Sequence, residues 1–233
     1  MKYYLFLTIL FLTIGLMAQE EAISYEEEVD SLYREDQVYV GVTFNLLSNK
    51  PASFSQNGLS AGVQVGFIRD FPINKRRNKA IGVGIGLALD TYNQNMFIGE
   101  EFAGEVTNYE ILDDQINEEV NRFTTYTLEF PLEYRWRTST PTKYSFWRIH
   151  AGVKLGYLFR FKSTFQDASA DIVRTDLPEI NNFQYGPSFS FGYGAFNFQG
   201  YYGLSTLFND DAQIDADSVN LQVIRLGLVF YFL

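Results

Sequence analysis

The chain has no cysteine, a single histidine and, beyond its first residues, no long apolar run. Without cysteine there can be no disulfide, no thiol nucleophile, no thiolate metal site and no lipid-modified cysteine at a processing point. One histidine, His150, cannot build a multi-histidine metal centre. Positive charge is scarce too: 18 Lys and Arg stand against 28 Asp and Glu, a formal net charge of −10 that argues against nucleic acid as a partner. The one long apolar run, residues 5–17, follows Lys2 and closes on Leu16-Met17-Ala18. It is shorter than the ~20 residues of a helical span. Residues 1–18 therefore read as a secretory signal peptide, with a membrane helix as the alternative. The mature chain is expected to leave the cytoplasm without a helical anchor, and no cofactor is expected.

What the chain does have is aromatic residues, 22 Phe and 16 Tyr, arranged with a period of two. In residues 147–161 every odd position is apolar: Trp147, Ile149, Ala151, Val153, Leu155, Tyr157, Phe159 and Phe161. The even positions hold Arg148, His150, Gly152, Lys154, Gly156, Leu158 and Arg160. Such alternation is a strand with two unlike faces. This one is too long and too charged for a soluble sandwich. It fits a strand with lipid on one side and a polar lumen on the other. Seven further segments repeat the pattern: 38–46, 59–67, 81–90, 126–137, 183–194, 196–204 and 224–232. Eight is an even number, as a closed up-and-down barrel with both termini on one side requires. The expected fold is an all-β, eight-stranded antiparallel transmembrane barrel resembling the OmpA transmembrane domain, over residues 37–233. Pro131 and Pro187 fall mid-strand, where bulges are expected because proline removes a ladder donor.

The connections alternate in length. Those at 71–78, 138–143 and around Ala195 are short; those at 48–58, 93–122, 162–182 and 208–219 are long. Short turns belong to the periplasmic side and long loops to the outside. Lys75, Arg76 and Arg77 occupy the first short turn. The 93–122 loop holds Glu100, Glu101, Glu105, Glu110, Asp113, Asp114, Glu118 and Glu119 and is the candidate partner-binding loop; loops of this length often carry function. Its acids suit hard divalent cations, but no calcium-loop spacing occurs. Residues 19–36, rich in Glu and Asp, read as an acidic periplasmic leader without fixed structure.

An eight-stranded barrel is just wide enough for its inward side chains to fill it. Those expected inward are Asp90, Glu129, Glu133, Arg135, Arg148, His150, Lys154, Arg160 and Arg225. Charges out of water need partners, so a lumen plugged by ion pairs is expected, with a narrow water path along the glycine-rich strands as the alternative. Gly82-x-Gly84-x-Gly86 is not a dinucleotide fingerprint, since its last glycine falls one step early and no helix follows. His150 is expected as a lumen residue near the periplasmic end, away from the outer rim where barrel enzymes keep theirs. At the C-terminus, Arg225, Gly227, Phe230 and Phe232 resemble the assembly signal of outer-membrane barrels, with the insertion machinery as the implied partner.

Gly66-Phe67-Ile68-Arg69-Asp70-Phe71-Pro72-Ile73-Asn74-Lys75 and Phe130-Pro131-Leu132-Glu133-Tyr134-Arg135-Trp136-Arg137-Thr138-Ser139-Thr140, followed by Phe146-Trp147-Arg148-Ile149, resemble the PorT family of small outer-membrane barrels of Bacteroidota. The resemblance spans residues 38–233. It implies a non-enzymatic barrel, in contact with outer-membrane lipid, that assists the type IX secretion system and its proteins. It supplies no catalytic residue. A structural or adhesion barrel, a narrow porin and an envelope enzyme are the other readings.

Overall fold

The computed structural model describes residues 36–101, 106–112, 118–138, 146–175, 177–215 and 217–232. The expected signal peptide, the leader up to residue 35 and most of the 138–143 turn lie outside the described residues, as do Glu105, Asp113 and Asp114 and the side chains of Glu101 and Glu118.

Thirteen strands form among the described residues: β1 Gln37–Ser48, β2 Ala61–Pro72, β3 Lys79–Asn93, β4 Met96–Glu101, β5 Val106–Ile111, β6 Glu118–Arg137, β7 Trp147–Asp167, β8 Asp171–Thr175, β9 Phe183–Tyr193, β10 Phe196–Tyr202, β11 Gln213–Ile214, β12 Asp217–Ser218 and β13 Gln222–Phe232. Eight of them run β1-β2-β3-β6-β7-β9-β10-β13, each antiparallel to the next, and β13 pairs back onto β1 to close the barrel. The closing seam is regular, from Val38 opposite Phe232 to Ser48 opposite Gln222. The described residues hold no helix long and apolar enough to cross a membrane; the strands do it instead, because a closed barrel leaves no unpaired edge for lipid to meet.

The outside of the barrel is apolar. Val40, Val65, Leu87, Leu132, Leu155 and Phe189 all stand exposed on successive strands. In water such a band would be a very large apolar patch; in a bilayer it is the required surface. Aromatic pairs flank it at both ends, as in membrane-barrel girdles. At the turn end Trp147 meets Tyr193 at 5.6 Å and Phe196 meets Phe230 at 5.4 Å. At the loop end Tyr126 meets Phe159 at 6.3 Å and Tyr157 meets Phe183 at 5.4 Å.

Three expectations change. Pro131 and Pro187 keep register opposite Lys154 and Val153, so neither marks a bulge. The bulges lie elsewhere on the β6–β7 pair. Tyr126 faces Arg160 while Thr127 faces Leu158, which makes Phe159 the extra residue. A bulge shifts every later side chain to the other face. Arg160, expected in the lumen, is therefore exposed on the outside, and Phe161, expected outside, is buried within. Finally, the long connections are partly built: β4 and β5 form a hairpin inside the 93–122 loop, β8 pairs with the upper part of β7, and β11 pairs with β12.

Candidate functional site

Two stacked interiors result. In the membrane-spanning part the inside is charged. Near the turn end Asp70 accepts from Arg135 at 2.5 Å and from Arg137. Gln37 also accepts from Arg135, at 2.5 Å. The Arg135 guanidinium lies over the Tyr231 ring, 5.3 Å from its centre, and its Nε is 3.6 Å from Glu133. His150 is enclosed here, with Nδ1 3.4 Å from the Tyr231 hydroxyl and 3.8 Å from Glu133. Arg148 also points inward, but donates to the Gly194 carbonyl and covers Phe146.

One tier higher, Glu129 bridges Lys154 at 3.1 Å and Arg225 at 2.6 Å. Arg225 also reaches Asp90 at 3.2 Å and lies over the Tyr201 ring. Asn45 donates to Asp90 at 3.0 Å, and Lys154 donates to Gln64 at 2.9 Å. Removing charges from water is costly unless each finds a partner of opposite sign, and this ladder supplies them across the lumen rather than along one strand.

Small residues make room for it. A Cβ at Gly86 would collide with the Tyr39 hydroxyl, and one at Gly82 would come 2.6 Å from the Arg135 side chain. The space beside these two β3 glycines is thus filled by larger neighbours. Among these residues lie small cavities of ≈ 30 and ≈ 20 Å³, room for about one or two waters each.

Above the ladder the interior is apolar. Phe123 stacks on Tyr92 at 4.9 Å and on Phe161 at 5.4 Å, and Phe208 meets Phe123 edge-on at 6.3 Å. Met96, Ile98, Leu207 and Leu221 complete a cap drawn from the strand ends and the long connections. Tyr109, on β5, packs edge-on against Phe208 and lies 3.4 Å from Glu179, which also accepts from Thr107 at 3.1 Å. Burial first, and the Glu179 carboxylate second, raise the Tyr109 phenol above its usual range. Between the cap's hairpins an open cleft of ≈ 880 Å³ is lined by Ser53, Asn95, Tyr109, Glu110, Asp215 and Asp217, among others.

Of the residues expected inward, all but Arg160 are buried in the lumen. Glu100 of the acidic loop pairs with Arg174, while Glu110 and Glu119 are exposed. At the C-terminal end Arg225 joins the ladder, Gly227 pairs with Thr43 and Gln199, and Phe232 faces outward beside Val38. Asp70 was missing from the expected set although it is fully buried. It lies on the same parity as Gln64 and Gly66. Ile68 inward and Arg69 outward reverse the local polarity and hide it. Gln37 was missed because it sits on the border of the acidic leader. Among the described residues no cluster of three or more metal-ligating side chains occurs.

A family profile described as "Outer membrane protein beta-barrel domain" matches residues 17–209. No protein of curated function matches the chain. Among solved structures, Ail, the attachment invasion locus protein of Yersinia pestis, is similar over 86% of this chain and 100% of its own. It is 15% identical with a TM-score of 0.38 in complex with the heparin analogue sucrose octasulfate, and 12% identical with a TM-score of 0.36 without it. A Rhodopseudomonas blastica porin mutant also matches, at 8% identity and a TM-score of 0.22.

Proposed function

This chain belongs to the outer membrane protein β-barrel domain family and resides in the outer membrane, and on that premise we propose that it is a docking scaffold rather than a conduit or an enzyme. The observation that carries the reading is the contrast between a filled lumen and a built cap. Ion pairs and glutamines occupy the bore, leaving cavities of only ≈ 30 and ≈ 20 Å³. The strands nonetheless run on past the lipid band into a cap with its own apolar core. A chain meant only to anchor or to leak would not require either. His150 has no open route to substrate, since it is enclosed among Arg135, Glu133 and Tyr231.

Following the PorT resemblance, the docked partners are components of the type IX secretion system, and the barrel assists that system without passing cargo itself. The acidic cleft and the exposed Glu110 and Glu119 are the offered surface. A deletion strain compared with its parent tests this. Retention of type IX cargo inside the cell is the expected result. An unchanged secreted profile would overturn the secretion role. Planar-bilayer recordings are expected to show no steady conductance, and a stable open current would sink the plugged-lumen reading.

A further inference from the structure

The Phe159 bulge turns Arg160 and Lys162 to the outside, where lipid or headgroups lie. Arg122, on β6, is exposed on the same outer face: it pairs with Thr164, while Thr124 pairs with Lys162 and Tyr126 with Arg160. Arg122 and Lys162 are therefore diagonal neighbours, roughly 7–8 Å apart at the backbone. Arg160 sits one step below Lys162 and lies over the Tyr126 ring, 5.7 Å from its centre. Thr91 and Thr124 add a pair of hydroxyls 3.2 Å apart in the same row. None of the three cations has a salt-bridge partner among the described residues, although the chain as a whole is acidic. The nearest described acids on these strands, Glu119 and Asp167, lie farther out, beyond Arg122 and Thr164.

Directly beneath this patch the lipid-facing wall is hollowed. A groove of ≈ 310 Å³ runs across β1, β2, β3 and β6 to the bulge on β7, lined by Val40, Val65, Leu87, Leu89, Tyr126 and Phe159 among others. An apolar groove that ends at its upper rim in three cations and two hydroxyls has the polarity of one kind of molecule. The acyl chain would lie in the groove and an anionic headgroup would meet the guanidinium groups, which favour phosphate. We propose that this face holds an anionic lipid of the loop-side leaflet whose headgroup carries phosphate. Long cations at the edge of a bilayer can also extend into water on their own. The groove beneath them is what favours a seated lipid.

The test uses the full-length protein in detergent, offered phosphatidic acid and phosphatidylcholine in equal amounts, with bound lipid counted by native mass spectrometry. Wild type is expected to retain phosphatidic acid preferentially. Arg122→Ser/Arg160→Ser/Lys162→Ser is expected to weaken retention roughly 100-fold, at about fivefold per surface cation. Lys75→Ser/Arg76→Ser/Lys79→Ser, the same charge change at the turn end, should leave it within twofold. Leu89→Trp, which fills the groove without altering charge, should weaken it about tenfold. All variants are outward-facing, and heat-modifiable migration on gels confirms that they fold. Equal retention of both lipids by wild type would overturn the proposal. So would full retention in the loop-end triple variant, or displacement of the lipid by inorganic phosphate alone, which would mark a phosphate site with no acyl component.

Discussion

Below the Phe159 bulge, β7 turns Arg148, His150 and Lys154 inward and leaves Ile149, Val153 and Leu155 exposed to lipid. Above it, the same strand buries Phe161 and Phe165 and turns Arg160, Lys162 and Thr164 outward. The lower half is apolar outside and charged inside; the upper half has the arrangement of any water-soluble core. One inserted residue performs the change on β7, because strand side chains alternate with period two. On β6 the change comes without a bulge between Arg137 and Asn121, where odd positions face inward and residue type alone shifts, from Arg135, Glu133 and Glu129 to Phe123; the bulge of β6 itself, at Glu119, lies above that stretch. The solvent outside, lipid below and water above, decides which residue type each face can carry. The backbone ladder is indifferent.

Deleting Phe161 breaks this comparison most severely. Phe161 follows the bulge and has a partner of its own, Thr125, so everything above it on β7 would change face, placing Lys162 against the apolar cap and Phe165 in water. An unpartnered buried charge costs several kcal/mol, so the cap should come apart while the lower barrel persists. Limited proteolysis would read this as cleavage across residues 162–221 with the heat-modifiable band retained. An intact cap would show that the facing of upper β7 does not hold the cap together.

Next in size is Glu129→Leu. It leaves Lys154 with Gln64 and Arg225 with Asp90, so that two buried cations share one carboxylate fewer. Breaking a buried pair in this way costs about 3–5 kcal/mol. Urea titration of the protein refolded into lipid vesicles should show that loss across the whole barrel, the reverse of the Phe161 deletion.

Much of the lower half was legible in the sequence because lipid imposes a strict rule: alternate residues must be apolar over each span. The eight segments and the inward parity of Glu129, Arg135, Lys154 and Arg225 follow from it. The upper half obeys no such rule. The β4–β5 hairpin is short, rich in Glu and carries no clean alternation, so it read as loop. The bulge was invisible for another reason: Tyr157, Phe159 and Phe161 suit a lipid face, and Phe161 suits an apolar core equally well. Nothing in residue type records an extra backbone step. The pairing of Asp70 with Arg135 spans 65 residues and depends on where two strands meet across the bore. Composition supplies the charges, but the closed topology selects the partners.

The outer faces sharpen the contrast through a smaller effect. Leu87, midway up the lipid band opposite Val65 and Leu128, should tolerate arginine poorly, with Leu87→Arg costing about 2–4 kcal/mol. Thr124→Arg, two rows above Leu128 on the same side of β6, should cost about 0–1 kcal/mol, as for an interfacial position. Both are measured by urea titration in vesicles. Equal costs would mean that the apolar band extends higher than the aromatic pair of Tyr126 and Phe159.

The mildest test acts on the cap alone, through Tyr109. Its phenol is held neutral by burial and by the Glu179 carboxylate 3.4 Å away, so its folded pKa lies above that of the free side chain. A raised pKa contributes stability that is complete below the unfolded value of about 10 and declines as pH rises through the folded one. The β4–β5 hairpin should therefore resist an alkali-tolerant protease at pH 8 and lose resistance progressively above pH 10, while the band of the lower barrel stays. Tyr109→Phe removes one weak hydrogen bond, about 1 kcal/mol at neutral pH, and with it this residue's share of the alkaline decline. An unchanged pH profile in that variant would assign the decline to other groups. Simultaneous loss of the lower barrel would show that the two halves do not open independently. Because the cap can only be a docking surface while it is folded, the same profile gives the pH range over which partner binding should be measured.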